Sequence, residues 1–529
     1  MQRLLISLAF AALFAMVPAG SASAKGFSFG VAAGDITSSS AILWARPESR
    51  RATMLEVATD RRFRNVVEER TVTPRRSDDN TVQASVKGLR PARTYYYRWL
   101  QRGGRRSDIG RFETAPRASA NRTVNFAFSG DADGFRFPGA ALHYNSVLGS
   151  PEPLGAQSFG VYRQMAREGN DFNVNLGDVI YSDSEVRNSG PIALTTRQKW
   201  AKYRQNLAVR NLRTLRANTG HYAHWDDHEF VDDFSIPERG RTLYNAGVAA
   251  FRDYNPVIYS TSRGIYRSFR WGRNAEFFYL DDRSFRDAKA SAGGLCNNPQ
   301  TGRPDNFPTL PQGRRDFLAN FSSDLSQPVS QECKDRINDP NRSMLGSRQL
   351  QRFLQAIRRS TATFKIVMNE VTMQQYYAFP YDRWEGFAHE RRQILEALQA
   401  SAVRNVVFLT TDDHANHVNV VRMQTLEEGG PIDTPYQEFV TGPVSTRTFE
   451  TQIDETTEEG NGDALRVAFL KPPPPAGVGM KCAALDVYSY AQVEVTRSQM
   501  TITAKNVNGD VVQEEGSPRR DCVLTIPAQ

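Results

Sequence analysis

The chain is 529 residues long, carries a formal net charge of +8, and contains seven histidines and four cysteines. Its composition is that of an ordinary globular protein, and the length leaves room for roughly two to four domains. A basic balance suits anionic substrates, but the chain has no concentrated Lys/Arg run and no nucleic-acid motif, so a nucleic-acid-binding module is excluded. In chain order, MQRLLISLAFAALFAMVPAGSASA comes first, with a positive start at Arg3, an apolar run, and a small-residue end at Ala22-Ser23-Ala24. It reads as a secretory signal over residues 1–24, cleaved after Ala24. The apolar run is short and broken by Pro18 and Gly20, which argues against a membrane anchor. No later stretch is apolar enough to span a bilayer, so no transmembrane segment is expected. The mature protein is expected to be periplasmic or secreted.

Residues 25–118 read as a β-sandwich domain. SAILWARP, MLEVATD, TVQASVKGL, TYYYRWLQR and DIGRFETAP are short β-branched or aromatic runs separated by polar turns. LRPARTYYYRW resembles the later strands of fibronectin type III-like domains, and AGDITSSSAILWARP resembles their opening strands. APRASANR, Ala115 to Arg122, reads as a linker.

From Thr123 the pattern changes to strands alternating with helices, which argues for a layered arrangement of both. TVNFAFSGD is an apolar strand; FGVYRQMAREG is a helix with Phe159, Tyr162 and Met165 on one face; FNVNLGD is the next strand. Ser347 is expected to cap a helix whose Leu350, Phe353, Leu354 and Ile357 share a face, leading into FKIVMNE. A helix around Ile394, Leu395 and Leu398 leads into NVVFLTTDDH. Residues 284–342 are rich in Asn, Pro, Gly and Ser and read as a long excursion. YAQVEVTRSQMTITAKNVNGD reads as a hairpin, with Asn508-Gly509 a turn signal. In an oxidising compartment the four cysteines are expected to pair sequentially, Cys296–Cys333 and Cys482–Cys522.

The strand ends carry the chemistry. They are Asp131 in FSGDADG, Asp178 and Tyr181 in NLGDVIY, Asp227 and His228 in WDDHE, Asn369 in VMNE, and Asp412 and His414 in TTDDH. One such acid is ordinarily a turn or a cap. Together they recur in one architectural context, at the ends where open sheets collect ligands, and they nearly complete a two-metal donor set. With His228 set aside the set holds one imidazole, no thiolate and otherwise oxygen donors, which favours Fe³⁺, Ca²⁺, Mn²⁺ or Mg²⁺ over a softer zinc site. Four aspartates with an ionised Tyr181 carry about five negative charges, matching a trivalent–divalent pair; two divalent ions would match the four carboxylates alone.

GVAAGD, GDVIY, WDDHE and the late DxH resemble the PhoD-like alkaline phosphatases of the metallophosphoesterase (calcineurin-like) superfamily, and the Gly-Asp motifs are also similar to those of purple acid phosphatases. The resemblance covers most of the mature chain. It implies an α+β protein, a fibronectin III-like β-sandwich followed over residues 119–529 by an αββα sandwich with two mixed sheets. It implies two metal ions, Fe³⁺ with Ca²⁺ before Mn²⁺, Mg²⁺ or Zn²⁺, bridged by Asp178. The first would be held by Asp131, Asp178, Tyr181 and His414, and the second by Asp178, Asp227, Asn369 and Asp412. His228 would face the substrate, stabilising phosphoryl oxygens or protonating the leaving group. The implied activity is hydrolysis of small phosphate esters by a hydroxide shared between the metals; the oligomeric state is left open, with a monomer favoured. A phosphodiesterase or phospholipase D-like activity is the alternative within enzymes, and a catalytically silent exported metal-binding module the alternative outside them.

Two positions depart from the family pattern. Asp131 stands where the family often has a ligating Cys, and Thr411 where a Gly is usual. The signal has no twin-arginine pair. Other polar residues read as structural or undecided. Asp133 is a ligand, an outer acceptor or a loop cap. His417 reads as surface or core, Tyr376 and Tyr377 as core or rim, and Trp225 as packing behind the His228 loop. His389 has no assigned role. Arg283 and Arg286 in DDRSFR are expected in solvated salt bridges.

Overall fold

The computed structural model describes residues 26–134, 159–184, 189–319, 323–456, 459–514 and 519–529. The expected signal over residues 1–24 lies outside them. Residues 31–113 form β1 (Val31–Gly34), β2 (Ser40–Ala45), β3 (Thr53–Ala58), β4 (Val66–Val72), β5 (Val82–Lys87), β6 (Thr94–Gln101), β7 (Arg105–Arg106) and β8 (Gly110–Glu113). One antiparallel sheet runs β1-β2-β5 and another β4-β3-β6-β7, with β8 also on β6. Strand β6 shows why. Its side chains alternate faces, so Tyr95, Tyr97 and Trp99 are buried while Thr94, Tyr96 and Arg98 are not. Leu43 and Val86 of one sheet join Leu55, Val57 and Trp99 of the other in a shared core.

The remaining strands are β9 (Val124–Ser129), β10 (Phe172–Leu176), β11 (Gly220–His224), β12 (Arg267–Trp271), β13 (Ala275–Tyr279), β14 (Phe364–Asn369), β15 (Val406–Thr410), β16 (Asn416–Gln424), β17 (Ile432–Val440), β18 (Cys482–Ala484), β19 (Ser489–Val495), β20 (Gln499–Asn506) and β21 (Val523–Pro527). They make two mixed sheets, β11-β10-β9-β19-β20-β21 and β12-β13-β14-β15-β17-β16-β18. The strands β9, β10 and β11 are mutually parallel neighbours in the first, and β13, β14, β15 and β17 in the second. Being covered on both faces, the central strands read as continuous apolar runs; VVFLT of β15 is wholly buried. The sheets pack face to face through aromatic rings, with Phe126 and Phe172 edge-on to Phe277 at 5.1 and 5.3 Å between centroids.

Helices cover the outer faces. Met165, Leu212, Leu215, Val248 and Phe251, from helices Gly160–Met165, Arg210–Asn218 and Arg241–Tyr254, pack with Ala127 of β9 and Ala223 of β11. On the other side Phe353 and Ile357 of helix Ser347–Arg359 and Leu395 and Leu398 of helix Ala388–Ala400 pack with Val367 and Phe408. The layers are therefore helix, sheet, sheet, helix. Ser347 does not cap its helix: it is the first helical residue, and Gly346 at φ +69° takes the cap position. A backbone in the left-handed region suits glycine, which outweighs the side-chain preference for serine there.

Strands β19 and β20 form the expected hairpin, closed by Thr496 N–H donating to the Gln499 carbonyl at 2.8 Å. Asn508-Gly509 makes the next turn, beyond β20. Both expected disulfides are formed, Cys296–Cys333 and Cys482–Cys522. The excursion over 284–342 contains helices Gln312–Leu318 and Gln331–Ile337. Among the described residues no helix is long and apolar enough to cross a membrane.

Candidate metal centre

Parallel alignment brings the strand ends to one edge. Asp131 follows β9, Asp178 follows β10, and Asp227 and His228 follow β11, all within one sheet. Asn369 ends β14, and Asp412 and His414 follow its neighbour β15 in the facing sheet. The two sheets are tied at this edge. Ala132 N–H donates to the Asp178 carbonyl at 2.9 Å, and His228 N–H to Asp178 Oδ1 at 3.2 Å. Thr411 Oγ donates across the sheets to the Leu176 carbonyl at 2.5 Å. A Cβ on Gly130 would come within 2.8 Å of the Thr411 side chain, so the glycine leaves the room that Thr411 occupies. The threonine, where the family usually has glycine, is accommodated and acts as a clasp.

Backbone conformation marks the same residues. Asp131, Asp178, Asp412 and His414 have φ of +60°, +52°, +68° and +54°. Non-glycine residues adopt this region uncommonly, and such strain concentrates where surrounding structure serves a site. Gly177, at φ +99°, lies so close to Asp226 that an added Cβ would meet the Asp226 Cβ at 2.6 Å. That contact brings the β10 and β11 loops together.

The side chains form overlapping groups. Ligand atoms of Asp131, Asp178 and His414 lie within 4.8 Å of one another; so do those of Asp178, Asp227 and His228, of Asp226, Asp227 and Asp412, and of Asp227, Asp232 and Asp233. Asp178 is shared by the first two and Asp227 by the last three. Tyr181 is buried with its hydroxyl 3.1 Å from His414 Nε2. Asn369, in register with Thr410 of β15, is buried with its amide oxygen accepting from the Trp384 indole at 3.0 Å. The Asp227 Oδ1 atom is buried without a hydrogen-bond partner among the described residues, and the guanidinium of Arg283 stays 3.9 Å from it. A buried carboxylate oxygen in that condition costs free energy unless a cation answers it, so the donor set fits metal ions.

Electrostatics follow from the crowding. Burial pushes the Asp178 carboxyl well above the carboxylate range; His228 opposes the shift, while Asp227, Asp226 and Glu229 add to it. Burial does the same to Asp412, aided by Asp226. For His228 burial alone would lower the pKa, but Asp227, Asp178 and Asp183 overcome it and hold the imidazole protonated well above its ordinary value. The ring stacks on Tyr181 at 4.1 Å between centroids.

Asp183 was missed in the sequence, although it lies five residues past Asp178 in GDVIYSD. Its Oδ1 is 2.7 Å from His228 Nδ1 and its Oδ2 accepts from Asp232 N–H at 2.7 Å. Asp226 was also missed. It is held at 2.5 Å by Nε of Arg283. The expectation for Arg283 and Arg286 is overturned: both are buried, not solvated. Arg283 is shared between Asp226 and Asp382 and lies 3.9 Å from Asp227 and 3.8 Å from Asp412, while Arg286 pairs with Asp382 at 2.6 Å. A cation among so many acids is drawn inward because the surrounding carboxylates offset its desolvation. Arg383, unremarked in the sequence, reaches Asp413 and stands 4.0 Å from Asp412.

The undecided residues take structural places. Asp133 is buried and accepts from Ser184; His417 is buried with Nδ1 3.1 Å from the Tyr376 hydroxyl. Tyr376 and Tyr377 are core residues, and His389 is half-buried at the start of its helix. Trp225 is buried against Phe230 and Phe251, directly before the Asp226–His228 loop.

A family model described as PhoD-like phosphatase matches residues 147–503, and another, PhoD-like phosphatase, N-terminal domain, matches residues 14–116. The chain belongs to the PhoD-like phosphatase family. It is 26% identical over 435 residues to alkaline phosphatase D of Bacillus subtilis (strain 168), an alignment covering 74% of this chain and 64% of that relative. The match thus spans less than two thirds of the relative's length. Among solved structures, a structure of PhoD aligns over 96% of this chain and 91% of that one, with a TM-score of 0.69 and 22% identity. A purple acid phosphatase from yellow lupin (Lupinus luteus) seeds aligns over 94% and 73%, with a TM-score of 0.54 and 10% identity. These two likenesses are of fold.

Proposed function

We propose that this PhoD-like protein is an exported, metal-dependent phosphoesterase hydrolysing small phosphate esters. One observation carries the reading: two groups of buried ligand atoms share Asp178, and the histidine of the second group, His228, is clamped by Asp183. Asp131, Asp178, Tyr181 and His414 would hold one metal ion, and Asp178, Asp227, Asn369 and Asp412 the other. We assign Fe³⁺ and Ca²⁺ on the oxygen-rich donor set, with Mn²⁺, Mg²⁺ or Zn²⁺ as alternatives. When bound, such ions lower the pKa of water and neutralise charge on phosphoryl oxygens.

The chain's own part is orientation and proton placement. The Asp183 carboxylate takes the Nδ1–H of His228, which turns Nε2 outward as an N–H donor. From there the imidazolium can stabilise a phosphoryl oxygen or pass its proton to the departing alkoxide. Stacking on Tyr181 limits the tilt of the ring. Arg283, 3.9 Å from Asp227 and 3.8 Å from Asp412, supplies a fixed positive charge beside both carboxylates. Asp131, in place of the family's Cys, makes the first site an all-oxygen and imidazole one. We also read residues 25–118 as a fibronectin III-like sandwich domain and 119–529 as the catalytic domain.

The test is elemental analysis of the purified protein together with turnover of chromogenic phosphate monoesters and diesters. About two metal ions per chain, at least one of them iron, calcium or manganese, and chelator-sensitive hydrolysis are expected. Full activity in metal-free protein would end the proposal. Preference for the diester would favour the phosphodiesterase alternative; bound metal with no turnover would favour the silent module.

A further inference from the structure

We infer that Gln452 is a positioning residue for His414, its side-chain amide holding the imidazole so that the Nε2 lone pair faces the Asp131–Asp178 group. This rests on the reading of His414 as a metal ligand. Gln452 lies 38 residues past His414, on helix Phe449–Thr456, and nothing in the sequence links the two. In the fold its side-chain amide nitrogen, Nε2, is 2.6 Å from His414 Nδ1. The other ring nitrogen, Nε2, is 3.1 Å from the Tyr181 hydroxyl and 4.0 Å from Asp131 Oδ1. The ring is therefore clamped, one nitrogen to the helix and the other to the ligand group. The helix is itself fastened to the histidine, because Phe449 N–H donates to the His414 carbonyl at 3.1 Å.

The clamp decides the tautomer. A neutral imidazole has one N–H and one lone pair. If the amide NH₂ of Gln452 donates to Nδ1, the proton sits on Nε2 and that nitrogen cannot bind a cation. If the amide oxygen accepts from Nδ1–H, the lone pair of Nε2 is presented to the site. A primary amide can turn either end to the ring, and its orientation follows from the network around it. The metal-competent arrangement is the one with the oxygen toward Nδ1, reached from the placement in the structure by turning the amide end for end. Metal-ligating histidines generally donate their second N–H to an acceptor, and loss of that acceptor typically weakens metal binding or activity about 10–100-fold.

The test uses the full chain as wild type, Gln452→Leu, Gln452→Glu and His414→Ala, each stripped and titrated with Zn²⁺ alone. Gln452→Leu should bind at the first site about 10–100-fold more weakly than wild type. Gln452→Glu, which can only accept, should bind at least as tightly as wild type. Nitrogen-15 NMR of histidine-labelled, zinc-loaded protein separates the acceptor role from the added charge. A pattern with hydrogen on Nδ1 and metal on Nε2, identified by its loss in His414→Ala, should show an Nδ1–H shifted downfield by its acceptor in wild type and the glutamate variant, and lose that shift in the leucine variant. Gln452→Met replaces the leucine variant should that not fold. First-site binding that survives His414→Ala would sink the ligand reading itself. If His414→Ala loses binding while Gln452→Leu binds like wild type, or Gln452→Glu is as weak as Gln452→Leu, the inference about Gln452 fails alone.

Discussion

Two groups of acids in this chain, one half-buried and one buried, differ in how their charge is answered. Where the sandwich meets the helix layer, Asp79 sits in the fork of Arg46, with Nε and Nη2 each 3.1 Å from its oxygens. Arg204 and Tyr254 close on it from the other side. Burial pushes its carboxyl up, but the bonds to Arg46 and Tyr254 and the charges of both arginines outweigh burial and hold it below its ordinary range. At the strand ends the balance is reversed. Asp178 and Asp412 are raised by burial and by one another's neighbours, and the guanidinium that reaches Asp226, Asp227 and Asp412 is already shared with Asp382. Positive φ does not separate the groups, because Asp79 has it too, at +48°. Charge does. An acid cluster answered in full by its own cations is a joint in the fold, whereas one whose few cations are shared among many acids fits cations from outside.

The largest expected effects break the strand-end group. His228→Ala should lower kcat about 10²–10⁴-fold, the cost of a positioned proton donor or oxyanion partner, with metal content nearly unchanged. Asp227→Ala should lower metal occupancy together with activity, since it removes a proposed ligand. Equal metal loss in the two variants would make His228 a ligand, a geometry that its closeness to Asp178 and Asp227 allows. Next in size is Asp183→Asn, which keeps an acceptor for His228 Nδ1 but removes the negative charge. A fall in kcat of about 10–100-fold at constant metal content is expected, as for other supporting partners of site residues. Unchanged kcat would mean that His228 needs no anchor.

The contrast between the groups also explains what was legible in the sequence. The strand-end residues stand in short motifs after apolar strands, so Asp131, Asp178, Asp227, Asn369, Asp412 and His414 could be collected by pattern. The layers were legible for a related reason: buried parallel strands and amphipathic helices leave periodic traces, as in VVFLT and Leu350–Ile357. Partners that act across the fold leave none. Arg283 looked like a surface residue because its burial depends on Asp226, Asp382 and Asp412 arriving from three separate segments. Gln452 meets His414 only through the return of its helix over the site. The Ser347 cap failed locally, since the choice between Gly346 and Ser347 turns on one φ angle that helical periodicity does not report.

At the seam, the comparison predicts stability effects without functional ones. Asp79→Asn keeps a residue that tolerates a positive φ and removes the charge facing Arg46 and Arg204. The pair is only partly buried, so unfolding free energy should fall by about 1–2 kcal/mol. Denaturant melts should show this, while metal content and kcat stay at the wild-type level. A loss of bound metal in this variant would show that the two acid groups are coupled.

The smallest effect concerns Asp253, which shares the seam but not its cations. Its carboxyl accepts from the Trp200 indole at 2.8 Å, and its main-chain carbonyl accepts from the Trp44 indole at 2.7 Å. Burial pushes this carboxyl up to about 7; the Trp200 bond and Arg252 oppose the rise, and Asp78 and Asp79 add to it. The sign follows from proton counting. An unfolded aspartate titrates near 4, so between about pH 4 and 7 the folded chain keeps a proton that the unfolded chain has released. Stability from this group therefore falls as pH rises through that window and is level above it. Asn cannot ionise, and its amide oxygen can still accept from Trp200. Asp253→Asn should match wild type near pH 4 and exceed it above pH 7. The full shift would correspond to about 4 kcal/mol, but the carboxyl is partly open to water, and a gain of about 1 kcal/mol is expected. Urea unfolding of both proteins at about pH 4.5 and 8 measures it, and the difference between them cancels any pH dependence of metal binding. A gain that does not grow with pH would place Asp253 with Asp79, as an acid already ionised and answered in the folded chain.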